Sequence, residues 1–353
     1  MNNRIVSLAT SKITKEIRDN INAALDENRI SQGRFVKEFE EKVAKYVGAK
    51  YAVAVCNGTI ADMVALLALS ALKPGKTEVI VPALTFVAQP NSVLFAGLKP
   101  IFVDVDVNCQ MDYTKIEEKI NDNTLAIMPA NLLGIECEIE KIKEIAQRHD
   151  LFVVEDNCEA FGVKCHGDVA TYSFFPSHTI TTGEGGMAVT NNEFIYDMLK
   201  KAINHGRRND DKILDKFHFD TLGVNGKLNN LSAAVGCATI GTADWVIETR
   251  LKNVDYLNHY THNFWYKPTS PHCYPTFNEN SSVRDAKLQE LKANDIEGRK
   301  LFSCLPTMEK VYSYMGYKKG EFPMAEEIAE KGLFVPVHQD LTQEDLDKIC
   351  SLI

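Results

Sequence analysis

Residues 51–72 have the sequence YAVAVCNGTIADMVALLALSAL, and this stretch holds one unit of the pattern that decides the fold. The run at 51–55 is apolar and β-branched in part, residues 56–59 are mostly small or polar, and residues 60–72 form an apolar segment of helical length. Short β-branched runs favour strands, and longer apolar segments favour helices. We therefore predict a strand, a tight turn and a helix in that order.

The same alternation continues along the chain after this unit. Apolar runs predict strands at 78–81, 100–105, 125–128 and 151–154, and the segments between most of them predict helices at 88–96, 113–120 and 139–148. Strands that alternate with helices form mainly parallel sheets covered by helices on both faces. The predicted fold class is therefore α/β.

Helices are also predicted before this core. Isoleucines spaced four residues apart indicate an amphipathic helix at 11–28, and a second helix carrying Phe35, Phe39 and Val43 ends at Gly48. These helices belong to the predicted large α/β domain, residues 1–240.

The alternation weakens after residue 192. Residues 193–204 and 227–262 have helical patterns, with a charged loop at 205–216 between them. A strand at 333–337 and a helix from Thr342 then indicate a smaller α+β unit, and we predict a small C-terminal α+β domain at 241–353.

The composition excludes several classes of protein. Hydrophobic residues make up 45% of the 353 residues and charged residues 25%, as in ordinary globular proteins. The 48 acidic residues outnumber the 39 lysines and arginines, and the resulting charge of −9 argues against nucleic acid as a partner. The longest apolar stretch, 63–72, is too short to span a bilayer, so we also expect no membrane partner.

The cellular location is predicted from the N-terminus and the cysteines. Residues 1–10 lack the long apolar core of a secretory signal. The nine cysteines are scattered and contain no Cys-x-x-Cys pair, which favours free thiols in a reducing compartment. We therefore expect a cytoplasmic protein.

The turn at 56–59 is the first of three segments with candidate functional residues. Gly58 and Thr59 would let the backbone approach an anion at the start of a helix, where free N–H groups bind phosphate. A tight turn with Asn57 or Thr59 as the helix cap is the structural alternative. That alternative is favoured for this motif taken alone.

The second segment, 153–159, places carboxylates at the end of a predicted buried strand. Open parallel sheets bind their ligands at this edge. Asp156 could hold a protonated ring nitrogen through a charge-assisted hydrogen bond, although a helix cap would explain it as well.

The third segment, 172–186, has the sequence YSFFPSHTITTGEGG. Two serines, Ser173 and Ser177, and one histidine, His178, precede a glycine-rich turn. A lone histidine more often has a structural role, but Pro176 and the lack of an apolar period argue against a core helix here. The segment also lacks the order of a dinucleotide-binding motif.

Taken in order, the three segments resemble the DegT-like family of sugar-nucleotide aminotransferases, which are fold type I pyridoxal-phosphate enzymes. Residues 79–88, 102–106 and 223–227 support the resemblance. It is strong over about 10–245 and looser to the end of the chain. The resemblance implies a fold type I transferase with a homodimeric arrangement and shared active sites.

The resemblance also assigns roles to individual residues. Those that would bind the cofactor are Gly58, Thr59 and Ser173 at its phosphate, Phe86 stacked on its ring, Asp156 at the ring nitrogen, Glu159 beside the ring hydroxyl, and Asn225 at the phosphate of the neighbouring subunit.

One position departs from the family pattern. The family carries a lysine five residues after the serine equivalent to Ser173 and binds the cofactor covalently through it. This chain has His178 at that position, and the next lysine is Lys200. The resemblance therefore implies pyridoxal or pyridoxamine 5'-phosphate bound without a covalent link. His178 resembles the histidine of the nucleotide-sugar 3-dehydratases, and Lys227, where aminotransferases more often have arginine, is the expected substrate-binding residue.

The cysteines bear on a second cofactor. One branch of the 3-dehydratases binds an iron–sulfur cluster through four cysteines, two of them one residue apart. After His178 this chain has Cys237, Cys273, Cys304 and Cys350, with no Cys-x-Cys pair. We therefore expect no iron–sulfur cluster and no other metal.

The function implied is C3 deoxygenation of a 4-keto-6-deoxy nucleotide sugar, which yields a 3,6-dideoxy-4-keto sugar for surface polysaccharide. Glutamate would regenerate pyridoxamine phosphate, and His178 would be the base, since an imidazole pKa near 6.5 suits that task. Two alternatives remain open at this point. One is a nucleotide-sugar aminotransferase variant, and the other is a non-catalytic binding protein without the lysine.

Overall fold

A computed structural model describes residues 5–208, 217–302 and 305–353. The predicted loop at 205–216 therefore lies mostly outside the described residues. None of the described helices combines the length and the apolarity that a bilayer crossing would need.

A seven-stranded sheet forms the centre of the molecule, in the order β1-β7-β6-β5-β4-β2-β3. β7 runs antiparallel to both of its neighbours, and the remaining pairs are parallel. The strands are β1 Tyr51–Val55, β2 Glu78–Pro82, β3 Lys99–Val103, β4 Thr124–Ile127, β5 Phe152–Asp156, β6 Val169–Ser173 and β7 Gly186–Thr190. This arrangement confirms the predicted α/β class with a mainly parallel sheet.

Helices surround this sheet and continue to the C-terminus. They are α1 Lys15–Asp26, α2 Arg34–Val47, α3 Gly58–Leu72, α4 Ala88–Phe95, α5 Ile139–Arg148, α6 Glu193–Ala202, α7 Asn230–Thr239, α8 Ala243–Thr261, α9 Ser281–Ala293, α10 Pro323–Lys331 and α11 Gln343–Leu352. Gly48 ends α2 with a φ of 71°, as its position after the apolar pattern predicted. Thr342 caps α11 in a capping box with Asp345.

A second, three-stranded antiparallel sheet has the order β8-β10-β9. Its strands are β8 Tyr274–Phe277, β9 Arg299–Lys300 and β10 Gly332–Val335. One cluster of buried apolar side chains contains Val79 of β2, Leu257 of α8 and Leu333 of β10. Because the core is continuous between the two sheets, the domain boundary near residue 240 stays a prediction.

Two predicted helices differ from the structure. Residues 113–120 form two short 3₁₀ turns, Tyr113–Lys115 and Glu117–Lys119, because Asp112 accepts hydrogen bonds from both the N–H and the hydroxyl of Thr114 and holds a turn there. The single helix predicted at 227–262 is divided into α7 and α8 by a 3₁₀ turn at Ile240–Thr242. It also begins late, since Lys227 is bridged to Val55 in extended form and Asn229 caps α7.

Candidate active site

A cavity of about 590 Å³ lies where β1, β5 and β6 end. This is the edge at which open α/β sheets bind ligands, so the structure places the cavity where the motifs predicted it. The cavity-lining residues that the sequence had singled out are Gly58, Thr59, Phe86, Asp156, Glu159, Ser173 and His178.

The turn between β1 and α3 forms one end of the cavity. Asn57 caps the helix, and its Oδ1 accepts a hydrogen bond from the N–H of Ile60 at 2.9 Å. A Cβ at position 58 would lie 2.8 Å from Cys158 Sγ and 2.8 Å from Ser173 Cβ, so only glycine fits between the turn and the end of β6. The first N–H groups of a helix have no partners within it. This helix start, with the Ser173 hydroxyl, is suited to a phosphate.

Gly186, the first residue of β7, supports the same turn. A Cβ at this position would come within 2.5 Å of the carbonyl oxygen of Asn57. The glycine-rich part of the third motif therefore allows β7 to pack closely against the turn. Asn57 is the helix cap that the structural interpretation predicted, and phosphate binding at this turn stays a prediction.

Asp156 and Glu159 bring two carboxyl groups to the cavity. The N–H of Cys158 donates to Asp156 Oδ1 at 3.1 Å, and the N–H of Leu133 donates to Glu159 Oε2 at 2.8 Å. Burial raises the pKa of Asp156, with Glu159 adding a smaller repulsive effect. Burial also raises the pKa of Glu159 to about 7, against the effect of the Leu133 N–H.

His178 follows β6 in a short turn, in which its N–H donates to the carbonyl of Phe175 at 3.0 Å. The Arg250 guanidinium donates to the carbonyl of His178 at 2.9 Å. The ring Nδ1 of His178 is buried and has no hydrogen-bond partner among the described residues. Burial, and then the positive charges that His272 and Arg250 can carry, hold the pKa of His178 well below its usual value. The imidazole is therefore neutral near pH 7 and can accept a proton.

His272, which precedes β8, is a cavity residue that the sequence analysis did not single out. Its ring centroid lies 5.0 Å from that of His178, and its Nε2 lies 3.9 Å from Glu159 Oε1. Burial, followed by the charges of Arg250 and Arg299, lowers the pKa of His272 to about 3. No local sequence signal marked this residue, since residues 270–300 carry only weak strand patterns. Asp62 and Arg250 were missed for a similar reason, because each lies within a helix.

Asn225 and Lys227 do not line this cavity. Asn225 is exposed, next to the segment in which the carbonyl of Gly226 accepts from the N–H of Cys56 at 2.9 Å. Lys227 Nζ donates to Asn204 Oδ1 at 3.0 Å. The roles expected of both residues stay predictions.

The position after β6, where the family has the lysine that binds the coenzyme, is a histidine in this cavity. Among the described lining residues the lysine is Lys300 of β9, an exposed residue whose Nζ lies 3.1 Å from Asp285 Oδ2. His178 occupies the turn after β6, and its ring cannot form a stable imine.

The lining residues fit a pyridoxal- or pyridoxamine-phosphate molecule. The α3 start and Ser173 suit a phosphate, and Asp156 suits a protonated ring nitrogen. Phe86 lies in the cavity wall with 59% of its side chain exposed, which leaves its ring free to stack on a flat molecule. The unpartnered Nδ1 of His178 adds a polar group that protein atoms do not satisfy.

Comparison with known proteins identifies the class to which this fold and site belong. The chain is a member of the DegT/DnrJ/EryC1/StrS aminotransferase family, whose sequence pattern matches residues 11–353. It is therefore an enzyme of a family of sugar aminotransferases and has the fold of the fold type I pyridoxal-phosphate enzymes.

Among individual relatives, GDP-perosamine synthase of Caulobacter vibrioides is 34% identical over 99% of this chain and 97% of its own length. GDP-4-keto-6-deoxy-D-mannose 3-dehydratase of Escherichia coli O55:H7 is 34% identical over 67% of each chain. A solved structure of the E. coli 3-dehydratase with bound hydrated PLP has a TM-score of 0.88 at 28% identity and covers 99% of both chains. A crystal structure of a His-to-Asn variant of GDP-4-keto-6-deoxymannose-3-dehydratase with bound GDP-perosamine has a TM-score of 0.89 at 28% identity, covering 99% of this chain and 100% of that one.

Proposed function

We propose that the chain is a 3-dehydratase that removes the C3 hydroxyl of a 4-keto-6-deoxy nucleotide sugar with the help of non-covalently bound pyridoxamine phosphate. The observation that carries the proposal is His178, a neutral imidazole in the cavity at the position where the family has lysine. GDP is the favoured nucleotide, since GDP-linked sugars appear in the names of the relatives on both the synthase and the dehydratase side.

The coenzyme would be held by groups on the large sheet. Gly58, Thr59 and Ser173 would bind its phosphate, Asp156 its ring nitrogen, and Phe86 would cover the ring. When bound, the coenzyme would supply an amine for the C4 ketone of the sugar and an aromatic ring that accepts the electrons of a broken C–H bond and returns them as the C3–O bond breaks. Asp156 would keep the ring nitrogen protonated through a charge-assisted hydrogen bond, which favours that electron acceptance.

His178 would perform the proton transfers. Its neutral ring would take a proton from the carbon of the bound coenzyme that carries the amine, and would then donate that proton to the departing C3 hydroxyl, which leaves as water. Arg250 would orient it, because the guanidinium also donates to the carbonyl of Pro271 at 3.1 Å and so ties the His178 turn to the segment that carries His272. Because position 178 is not a lysine, it offers no side-chain amine that could displace the sugar from the coenzyme. This favours release of the sugar by hydrolysis, with loss of ammonia.

Glu159 and Lys227 have further proposed binding roles. Glu159, held by the Leu133 N–H, would lie beside the ring hydroxyl of the coenzyme, and Lys227 would bind the sugar nucleotide. The exposed Asn225 would reach the phosphate site of a second copy in a homodimer, and the exposed apolar side chains of Phe219 and Leu222 nearby in sequence favour a protein interface there. Glutamate would regenerate the amine form of the coenzyme. The proposed enzyme acts in the cytoplasm without an iron–sulfur cluster; Cys237 and Cys273 are buried, and Cys304 lies outside the described residues.

A nucleotide-sugar aminotransferase is the second candidate. The high coverage of GDP-perosamine synthase favours it. In that case the coenzyme amine would be transferred to the sugar, and the product would be a 4-amino sugar.

Product analysis separates the two functions. The protein is incubated with pyridoxal phosphate, glutamate and GDP-4-keto-6-deoxymannose, followed by an ammonia assay and mass spectrometry of the sugar. We expect ammonia and a sugar that has lost the C3 oxygen. A 4-amino sugar without ammonia would overturn the dehydratase proposal and support the aminotransferase.

Borohydride reduction tests the non-covalent state of the coenzyme. The wild-type chain should carry no coenzyme adduct after reduction, whereas His178→Lys, as a matched control, should become labelled at residue 178. A wild-type adduct at any lysine would contradict the proposal.

A further inference from the structure

A buried carboxyl group, that of Asp62, lies near Asp156. Asp62 is in the second turn of α3, and only 1% of its surface is exposed. One oxygen of Asp62, one oxygen of Asp156 and the Sγ of Cys158 all lie within 4.8 Å of one another. The proposed mechanism gives Asp62 no task.

The surroundings of this pair contain hydrogen-bond donors. Thr171 of β6 donates its hydroxyl to Asp62 Oδ1 at 2.6 Å, and the N–H of Cys158 donates to Asp156 Oδ1. The titratable groups facing the pair from the loop after β5 are Cys158 and Glu159. Within the described parts of the chain, neither Asp62 nor Asp156 forms an ion pair with a basic side chain.

Ionising both of these neighbouring carboxyl groups away from water carries a large free-energy penalty. Burial disfavours each charge, and the two negative charges repel one another. Burial and Asp156 together raise the pKa of Asp62 well above its usual value, and burial raises the pKa of Asp156. The proton then belongs to the pair and not to either residue.

We propose that Asp62 and Asp156 share a proton in the coenzyme-free protein and that the pair releases it when a cationic ring nitrogen binds against Asp156. The identity of that cation rests on the proposed function. A positive charge at Asp156 compensates a second negative charge nearby, so the pair can lose its proton to solvent. Asp62 is then a positioning residue that links coenzyme binding to pH.

Proton release can be counted by calorimetry. The coenzyme-free full chain is titrated with pyridoxamine phosphate between pH 6 and 9, in buffers that differ in their enthalpy of ionisation. The free coenzyme titrates in the same way in every experiment, so differences between variants report on the protein and its complex. We expect Asp62→Asn, which keeps an acceptor for Thr171, to release fewer protons than wild type, by up to about one per chain, over part of this range.

Glu40→Gln is the matched control. Glu40 is a half-buried acid with a pKa that burial raises to about 7, but its carboxylate accepts from the N–H of Ala54 and it does not line the cavity. This variant should release as many protons as wild type at the coenzyme site. A loss equal to that of Asp62→Asn would overturn the proposal.

Thr171→Val gives a second test that does not depend on the folding of Asp62→Asn. Loss of the hydroxyl removes a hydrogen bond that favours ionised Asp62, so the pH at which release is half complete should rise. Equal proton counts at every pH for wild type, Asp62→Asn and Thr171→Val would contradict the pair. Failure of wild type to bind pyridoxamine phosphate would instead contradict the proposed function.

Discussion

The two walls of the cavity differ in how they are built. The large-sheet wall consists of Gly58, Asp156, Ser173 and His178, each at or within a few residues of the C-terminal end of a strand of the large sheet. The small-sheet wall consists of His272, Arg299 and Phe334, from and beside the three-stranded sheet. The first wall supplies the groups for the coenzyme and the base. The second wall encloses the base and shifts its protonation.

The walls meet at two buried contacts. Arg250 of α8, 1% exposed, donates to the carbonyls of both His178 and Pro271. Gly134 packs closely against Ser270: a Cβ at position 134 would lie 1.8 Å from the carbonyl oxygen of Ser270. The geometry around His178 therefore depends on how the two walls are held together.

The largest effect is expected in the large-sheet wall. His178→Asn removes the base while keeping a polar side chain of similar reach, so the rate of ammonia production should fall about 10²- to 10⁴-fold. Coenzyme affinity, measured by fluorescence titration, should change little because the phosphate and ring-nitrogen groups are intact.

His272→Gln is the matched change in the small-sheet wall. It removes a neutral ring that lies against His178 but has no proposed proton transfer, so the rate should fall by about tenfold or less. A loss as large as that of His178→Asn would show that the two walls share the chemistry. Full activity of His178→Asn would remove His178 from it.

The next effect concerns the contact between the walls. Gly134 has a φ of +76° in addition to its close contact with Ser270. Gly134→Ala combines left-handed strain with overpacking, and the free energy of unfolding should fall by about 2–5 kcal/mol. Urea denaturation of the coenzyme-free protein measures the change.

Gly97→Ala serves as the control for that substitution. Gly97 has a similar φ of +78°, but a Cβ there would meet nothing within 4 Å. The free energy of unfolding of Gly97→Ala should therefore fall by only about 1–2 kcal/mol, which is the cost of the left-handed strain alone. Equal losses for the two variants would mean that the Gly134–Ser270 contact does not hold the walls together.

The smallest effect is a pH dependence at Glu159, which lies between the walls. Its pKa in the folded protein is raised to about 7 from 4.5, so its favourable contribution to stability is present below about pH 4.5 and is lost as the pH rises through 7. Glu159→Gln cannot ionise. Relative to wild type, this variant should gain about 2–3 kcal/mol of stability between pH 4 and pH 8, measured by urea denaturation of the coenzyme-free protein. A difference between the two proteins that does not change with pH would contradict the burial of this carboxyl group.

Much of the large-sheet wall could be predicted because its information is local. A strand, a small-residue turn and a helix occupy consecutive positions, so 51–72 specified both β1–α3 and the phosphate-type turn at Gly58. Parallel strands end at one edge, and Asp156 and Ser173 could be assigned to a common edge without coordinates. The helix predicted at 113–120 was wrong, and the cause is also local: the turn held by Asp112 competes with helix formation.

The sequence by itself determined the α/β alternation, the chemical types of the coenzyme-binding groups, and the presence of histidine at position 178 instead of lysine. Only the tertiary structure decided what surrounds that histidine and Asp156. His272, Arg250 and Asp62 come from segments far apart in the chain, and no periodicity connects them. The physical reason is that desolvation and charge repulsion depend on distances in space, so protonation states follow from the assembled core and not from any one motif.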